Sequence, residues 1–424
     1  MAVNNEQRSI IVCADWKGLD GPTIMGTLYS TRARGREVFS FEYNERWLTN
    51  GKAQNIDPDL QFYSGPQYLN DDKTNFGIFL DSSPDRWGRV LMDRREALTA
   101  RLEGRKSISL FETDYLLGVY DGHRMGALRF KESEDGPFLN NNHEMASPPW
   151  TSIRDLERAS LQLETEAGTD HQKLKWINML ITPGSSLGGA RPKASVLDDE
   201  QHLWIAKFPS SKDSHDIGAW EKVVHEIAQN VGLNVPETKA SVFSSRQHTF
   251  LSKRFDRTEK GKRIHFASAM TLLGHADGTN HQDGVSYLDL AGFIIKNGAN
   301  VEQDLEELWK RIVFYISVSN TDDHLRNHGF LLTDNGWTIS PAYDINPVAK
   351  GTGLSLNISE KDNALDIDLA LSVASYFRVE KTRAEEIVKT VKKEVNNWDK
   401  VAEKSGISRT EREMMANAFS VLED

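Results

Sequence analysis

A strongly apolar helix pattern that leads directly into polar residues is the feature that most limits what this chain can fold into. Leu308, Trp309 and the run 312–316 predict a helix buried on nearly all sides. Residues 319–327, which follow it, are polar except for Leu325. A polar cluster on a buried support is typical of a functional site, because binding residues are commonly placed on loops that a rigid scaffold holds.

A hairpin pattern follows this cluster. The segments 330–332 and 337–339 flank a turn that contains Asn335-Gly336, the strongest short signal for a hairpin. If the turn is centred between Asn335 and Gly336, Asn327 and Asp344 lie 8.5 positions to either side. The pattern therefore predicts that Asn327 and Asp344 return to one place, with Cβ atoms about 5 Å apart across the hairpin.

These residue types favour phosphoryl transfer. Asparagine and aspartate oxygens are hard ligands for the Mg²⁺ that accompanies nucleotide phosphates. Asp322, five residues before Asn327, has the spacing of the base in the protein-kinase catalytic loop. Taken singly, Asp322, Asp323 and Asn327 are equally consistent with caps of helices and turns. Capping roles alone do not explain why a hairpin brings Asp344 back towards Asn327. They also do not explain the two upstream features described next.

The first upstream feature is a glycine-rich loop followed by a hairpin. Residues 184–193 read Gly-Ser-Ser-Leu-Gly-Gly-Ala-Arg-Pro-Lys, and the backbone N–H groups of such a loop can close on an anion. The Walker spacing is absent, and alone the segment is more typical of a plain loop. Symmetric pairing about the turn 198–201 predicts Lys207 opposite Pro192, in reach of phosphate oxygens. An exposed lysine at a strand end is an equal alternative.

The second upstream feature is an amphipathic helix. Apolar residues between Trp220 and Val231 recur at helical spacing and predict a helix over 219–231, capped by Asp216. Glu221 borders the buried stripe, where it can orient Lys207 as an ion pair. A first-turn glutamate is more commonly only a partner of the helix dipole, and the sequence leaves both interpretations open.

Together these segments resemble the HipA family of bacterial serine/threonine kinases, the toxins of HipBA-type toxin–antitoxin modules. The family's phosphate loop, close to Ser-x-x-Gly-Ala-x-x-Lys, is similar to residues 186–193. Its catalytic loop, Thr-Asp-x-His-x-Lys-Asn, is similar to residues 321–327, with Arg326 in place of the lysine. The segments 80–89, which contain Asp-Ser-Ser-Pro-Asp, and 232–236, Gly-Leu-Asn-Val-Pro, resemble further motifs of the family.

The resemblance implies a role for each matching residue. Asp322 corresponds to the catalytic base and His324 belongs to the same loop, while Lys207 is the phosphate contact that Glu221 orients. Asn327 and Asp344 are the implied Mg²⁺ ligands, and both also contact ATP. The other implied ATP-binding residues are Ser186, Leu187, Gly188, Gly189, Ala190, Lys193, Lys253 and Phe255, the last two within a hinge strand at 251–257. Ser186 occupies the position of a serine that the family autophosphorylates.

The resemblance also implies the fold and the partners. We expect an α+β, bilobal, protein-kinase-like fold, with an N-terminal α+β domain at 1–145, a kinase-like N-lobe at 146–255 and a mostly helical C-lobe at 256–424. The implied function is that of an ATP-dependent serine/threonine protein kinase, the toxin of a toxin–antitoxin module. Its expected partners are a protein substrate with an acceptor Ser or Thr and a HipB-type antitoxin, with DNA contacted only through that antitoxin.

Two other functions stay open. Asp322-x-His324-x-x-Asn327 also fits the catalytic loop of phosphoinositide kinases, so a lipid or small-molecule hydroxyl is an alternative acceptor. A kinase-shaped regulatory subunit that docks an antitoxin without catalysis is the other. The chain has no His-Arg-Asp or Asp-Phe-Gly, so it matches ordinary eukaryotic-type protein kinases poorly.

Composition limits the cell compartment and the classes of partner that we expect for the chain. Its net charge of −11 argues against a surface built throughout for nucleic acid, and a single cysteine, Cys13, excludes an intramolecular disulfide. No apolar run approaches the ~18 residues of a membrane span, and the N-terminal residues do not read as a secretion signal. We therefore expect a cytoplasmic protein without a membrane partner.

Overall fold

The structure, a computed structural model, describes residues 6–33, 35–51, 53–69, 73–142, 146–181 and 191–422. The chain forms two compact units. The first comprises Met1–Ser211 and Asp256–Ala267, and the second comprises Lys212–Phe255 and Ser268–Asp424. The division into three domains at 145/146 and 255/256 stays a prediction.

A five-stranded antiparallel sheet begins the first unit, with its strands in the order β4-β3-β2-β1-β5. The strands are β1 (Glu6–Ala14), β2 (Thr23–Ala33), β3 (Arg36–Tyr43), β4 (Gln67–Tyr68) and β5 (Leu128–Lys131). Residues alternate between the two faces of a strand, so Phe39 and Phe41 are buried whereas Val38 is exposed. Phe41 packs against Phe79, with ring centroids 5.8 Å apart.

Helices complete the first unit around this sheet. They are α1 (Glu45–Leu48), α2 (Gly77–Asp81), α3 (Arg86–Leu102), α4 (Glu112–Gly118), α5 (Ile153–Glu164) and α6 (Asp170–Ile181). Asp85 is the N-cap of α3, where its Oδ1 accepts a 2.8 Å hydrogen bond from the Gly88 amide. Such a cap satisfies one of the amides that the first helical turn leaves without a partner.

The hairpin of β6 (Lys193–Leu197) and β7 (Leu203–Lys207) also belongs to the first unit. Lys207 pairs with Lys193, so the prediction that it faces Pro192 is wrong by one residue. The turn is one residue longer than predicted because the Asp198 side chain organises it. Its carboxylate accepts hydrogen bonds of 2.8 Å from both the His202 amide and the Trp204 indole, and Gln201 takes a left-handed φ of 67°.

The second unit is largely helical. Its first elements are α7 (Ile217–Val231), β8 (Thr238–Val242) and β9 (His248–Lys253), and β10 (Phe266–Ser268) lies where the chain re-enters this unit. The elements that follow are α8 (Ala269–Leu272), α9 (Tyr287–Asn297), α10 (Val301–Ser317), β11 (Gly329–Thr333), β12 (Gly336–Ile339), α11 (Ile367–Val373), α12 (Lys381–Val395), α13 (Trp398–Lys404) and α14 (Arg409–Met415). Six short 3-10 helices are also described. Asp121–His123 and Trp150–Ser152 lie in the first unit, and the second unit contains His281–Asp283, Leu325–Asn327, Ala374–Phe377 and Ala416–Leu422.

Two predicted helices of the second unit are confirmed. In α7, Asp216 is the N-cap and accepts a 3.1 Å hydrogen bond from the Ala219 amide, and the predicted apolar stripe is buried. The helix begins two residues earlier than predicted. In α10, Leu308, Trp309 and residues 312–317 are buried, which makes this helix the predicted apolar support for the residues that follow.

The hairpin of β11 and β12 forms, but its register differs from the prediction. Thr333 pairs with Gly336, so the two turn residues are Asp334 and Asn335 and the centre lies one residue earlier. Gly336 is the first residue of β12, with φ of 123°, and a Cβ there would lie 2.6 Å from the carbonyl oxygen of Asn297. The glycine is therefore required by a close backbone approach rather than by the turn.

Candidate active site

The loop after α10 separates two adjacent aspartates. The Asp322 side chain is 76 % exposed. Asp323 is buried, where its carboxylate accepts hydrogen bonds from the Tyr287 hydroxyl and, at 2.7 Å, from the Ser355 amide. Burial raises the pKa of Asp323 to about 7. Asp323 thus anchors the loop, and Asp322 is presented to solvent.

Asn327 ends this loop, and the nitrogen and oxygen of its side-chain amide differ in their hydrogen bonding. Its Nδ2 donates a 2.6 Å hydrogen bond to the backbone carbonyl of Asp322, whereas its Oδ1 is buried and accepts no hydrogen bond from any residue that the structure describes. A buried carbonyl oxygen without a partner is unfavourable, because it loses its bonds to water and gains none in return. A bound cation would satisfy it, so this oxygen fits the predicted Mg²⁺ ligand.

Asp344 follows β12 in a segment that is hydrogen-bonded to the loop after α10. Asp344 has a left-handed backbone with φ of 57°, and its Oδ1 accepts a 3.3 Å hydrogen bond from Asn346 Nδ2. The Tyr343 hydroxyl donates a 2.7 Å hydrogen bond to the backbone carbonyl of Arg326. The backbone amide of Asn346 donates a 3.1 Å hydrogen bond to Asn320 Oδ1.

The predicted cross-strand pairing of Asn327 with Asp344 is wrong. In the observed register the paired residues extend from Thr333–Gly336 to Phe330–Ile339, and a last hydrogen bond joins the Ser340 amide to the Gly329 carbonyl at 2.9 Å. The hydrogen bonds of Tyr343 and Asn346 to the loop after α10 take the place of the expected ladder.

His324 lies beside the exposed aspartate. Its Nε2 is 4.0 Å from Asp322 Oδ1, and its side chain is about one-third exposed. The Nδ1 atom is buried and has no hydrogen-bond partner within the described part of the chain. The ring therefore stands next to the predicted base, while its catalytic role stays a prediction.

Lys193 and Lys207 face each other across the hairpin of the first unit, and both are buried. Lys207 is 9 % exposed, which excludes the alternative of a solvent-exposed strand-end lysine. Lys193 Nζ lies 2.8 Å from Asp85 Oδ2, and both side chains are almost fully inaccessible. The end of the glycine-rich segment is thereby tied to the N-terminus of α3.

The second unit holds the remaining predicted residues that the structure describes. Glu221 is buried on α7, beside the apolar stripe, and its pairing with Lys207 stays a prediction. Lys253 ends β9, and its amide donates to the Glu237 carbonyl at 2.9 Å. The Phe255 ring lies 5.6 Å from the Tyr343 ring. Ser186, Leu187, Gly188, Gly189 and Ala190 lie outside the described residues.

The sequence did not identify three residues of this region. The sequence suggests only a cap for Asp323, and no local pattern marks Tyr343. Asp85 carried a usable signal, because an aspartate after proline at the start of a helix pattern is typical of an N-cap. Its partner Lys193 could not be read from the sequence, because the two are far apart in the chain.

The residues present fit a magnesium ion. Asn327 Oδ1 and the Asp344 carboxylate provide oxygen ligands, and nucleotide phosphates supply further oxygen ligands in sites of this kind. Among the described residues no group of three or more His, Cys, Asp or Glu side chains is arranged to hold a metal. A metal held by two protein oxygens and a nucleotide does not need such a group. Within the same described part of the chain, no helix is both long and apolar enough to cross a bilayer.

Residues 185–398, half of the chain, match the family of HipA-like C-terminal domains. The chain belongs to the HipA family. A putative kinase of Haemophilus influenzae is 27 % identical over 179 residues, which cover 38 % of this chain and 52 % of that protein. The chain thus spans about half the length of this curated relative.

A solved HipA structure matches almost the whole chain. It is the HipA of Shewanella oneidensis MR-1, determined in a complex with HipB and its operator DNA. It aligns with a TM-score of 0.63 and 16 % identity over 94 % of each chain. At this identity the match establishes the fold alone, which is the expected α+β kinase-like fold.

Proposed function

We propose that this chain is an ATP-dependent serine/threonine protein kinase of the HipA type. The observation that carries the proposal is the buried, unpartnered Oδ1 of Asn327, on a loop that presents Asp322 to solvent. The Tyr343–Arg326 hydrogen bond supports it, because it fastens the Asp344 segment to that same loop. An exposed carboxylate beside two candidate metal ligands is the arrangement that transfer to a hydroxyl needs.

Each residue has a distinct part in the proposed reaction. Asp322 accepts the proton of the acceptor hydroxyl, whose oxygen bonds to the γ-phosphorus while the bond to the β–γ bridging oxygen breaks and ADP leaves. Asn327 and Asp344 hold Mg²⁺, which when bound neutralises charge on the phosphates. Lys207 contacts phosphate oxygens, and Glu221 orients it.

The proposals for the phosphoryl acceptor and for the protein partners rest on membership of the HipA family. We propose a serine or threonine of another protein as the acceptor, and autophosphorylation at Ser186. We also propose a HipB-type antitoxin as partner, with DNA contacted only through it. The Shewanella HipA complex with HipB and operator DNA supports this assignment.

The test is incubation of the purified chain with γ-labelled ATP, Mg²⁺ and cell lysate, followed by separation of protein, lipid and small-molecule fractions. We expect label in protein as phosphoserine or phosphothreonine, and none with Asp322→Ala. Asp334→Ala, a change at the exposed hairpin turn, is the matched control and should label like wild type. Label confined to lipids or small molecules would replace the protein-kinase assignment. A wild-type chain that transfers no label to any fraction and binds no Mg·ATP would be a non-catalytic member.

A further inference from the structure

A closed ring of hydrogen bonds joins α10 to two segments of the second unit. Arg311 Nε donates at 2.9 Å to Glu307 Oε1, and Arg311 Nη2 donates at 2.7 Å to the carbonyl of Ser340. Glu307 Oε1 also accepts a 3.1 Å hydrogen bond from the Asn234 amide. The Asn234 carbonyl in turn accepts a 2.8 Å hydrogen bond from the Ala342 amide. We call Glu307 and Arg311 the α10 clamp.

The clamp is protected from water. Arg311 is 1 % exposed and Glu307 8 %, and Ser340 and Ala342 are buried as well. Charge-assisted hydrogen bonds in such surroundings are strong and geometrically specific, because no solvent competes for the donors. The backbone groups that the clamp holds are therefore fixed in position.

The two segments that meet at the clamp both belong to the candidate site. Ser340 and Ala342 immediately precede Asp344 in the chain. Asn234 lies just beyond Gly232, the left-handed C-cap of α7, the helix that carries Glu221. Lys310, next to Arg311, adds a 3.1 Å hydrogen bond to the Gly232 carbonyl. The segment 232–236, a family motif with no role in the chemistry above, thus connects α7 to the Asp344 segment.

We propose that Arg311 and Glu307 are positioning residues that set the place of the Asp344 carboxylate for metal binding and couple it to the C-terminal end of α7. The inference rests on the proposed function, because it takes Asp344 as a Mg²⁺ ligand. Outside α10, the hydrogen bonds described for the clamp residues go to the backbone of Asn234 and Ser340, so the clamp acts on Asp344 through the backbone of Ser340, Ala342 and Asn234. Substitution of groups that orient metal ligands commonly costs about 10–100-fold in metal affinity or activity.

The test substitutes Arg311→Met, which keeps most of the stem and removes both donors. Binding of the nonhydrolysable analogue AMP-PNP is measured calorimetrically over a range of Mg²⁺ concentrations, together with kcat at saturating Mg²⁺. We expect the Mg²⁺ concentration for half-maximal binding to rise by about 10-fold while kcat at saturation is largely kept. Arg311→Lys should recover part of the loss, since one ammonium can reach Glu307 or Ser340.

The matched control is Arg383→Met, which breaks a bidentate pair with Glu306 on the same helix but touches neither segment. It should leave the Mg²⁺ dependence unchanged. If Arg311→Met does not fold, Glu307→Gln decides, because it keeps an acceptor for the Asn234 amide and loses only the charge. A folded Glu307→Gln or Arg311→Met with wild-type Mg²⁺ dependence overturns the inference.

Asp344→Ala, measured in parallel, separates this inference from the proposed function. If the wild type binds AMP-PNP without any Mg²⁺ dependence, or if Asp344→Ala binds like the wild type, the metal-ligand assignment fails whatever the clamp variants do. If both behave as proposed and only the clamp variants match the wild type, the kinase assignment stands and the clamp inference alone is wrong.

Discussion

The Tyr343 hydroxyl donates a 2.7 Å hydrogen bond to the carbonyl of Arg326, the residue just before Asn327. Because Tyr343 directly precedes Asp344, one side chain links the segments that carry the two candidate metal ligands. Tyr343 is buried, so the bond is not weakened by competing water.

Tyr343→Phe removes this bond and little else. We expect the fold to remain, the free energy of unfolding to fall by about 1 kcal/mol, and Mg·ATP to bind more weakly. Chemical denaturation and calorimetry measure the two effects. Tyr376→Phe, at a residue that is 60 % exposed, is the control. Unchanged nucleotide binding in Tyr343→Phe would show that the link has no bearing on the site.

Asp322→Ala and Asp344→Ala should both abolish phosphoryl transfer, for different reasons. The first removes the group that accepts the hydroxyl proton, and the second removes a metal ligand. Calorimetry should therefore show Mg·ATP binding largely kept in Asp322→Ala and weakened in Asp344→Ala. Wild-type transfer by either variant contradicts the role assigned to that residue.

Asp85→Ala removes the carboxylate that lies 2.8 Å from the buried Lys193 ammonium. We expect a loss of about 3–5 kcal/mol in the free energy of unfolding, because breaking one side of a buried ion pair leaves a charge poorly compensated. The lost N-cap of α3 adds to the effect. Arg8→Met breaks an exposed pair with Glu132 in the same unit and should cost far less. Equal losses in the two variants would mean that Asp85–Lys193 behaves like a surface pair.

The raised pKa of Asp323 makes the free energy of unfolding depend on pH. Its pKa is about 7 in the folded chain and about 4 when unfolded, so between these values the folded state holds more protons. Its contribution to stability is therefore greatest below pH 4 and is lost as pH rises to 7. The stability advantage of wild type over Asp323→Asn should shrink across this window, as measured by denaturation at several pH values. Asp362→Asn is the control, and a difference that is independent of pH would contradict the shifted pKa.

Ser186 should be phosphorylated by the chain itself. Phosphate adds roughly −1.5 to −2 charge at neutral pH and would repel the phosphates of ATP, so it should switch the enzyme off. Intact-mass and peptide mass spectrometry after incubation with Mg·ATP should find phosphate on Ser186, resolved from Ser185, in wild type but not in Asp322→Ala. ATP binding should fall in parallel. An unmodified loop in a chain that labels other proteins would remove this switch.

Much of the fold could be predicted from the sequence. The apolar spacing in α7 and α10, the Asp216 cap and the existence of both hairpins are local properties, since each depends on neighbours within a few residues. The motifs were sufficient to indicate the HipA family and the α+β kinase-like fold.

The hairpin registers were decided by tertiary structure. The Asn335-Gly336 pair is a strong turn signal, yet Gly336 is the first residue of β12, where the Asn297 backbone approaches it too closely for any side chain. In the upstream hairpin, the Asp198 carboxylate draws one more residue into the turn. A shift of one residue changes every cross-strand partner, so spacing alone placed Lys207 and Asp344 opposite the wrong residues.

The sequence by itself determined which chemical groups this protein carries and the order of the helices and strands that present them. Tertiary structure decided which of those groups are buried. Asp322 and Asp323 are chemically identical neighbours, but only Asp323 meets Tyr287 and Ser355, which lie on other segments of the unit. Desolvation and hydrogen bonding depend on residues that approach from elsewhere in the chain, and no local pattern specifies which residues those will be.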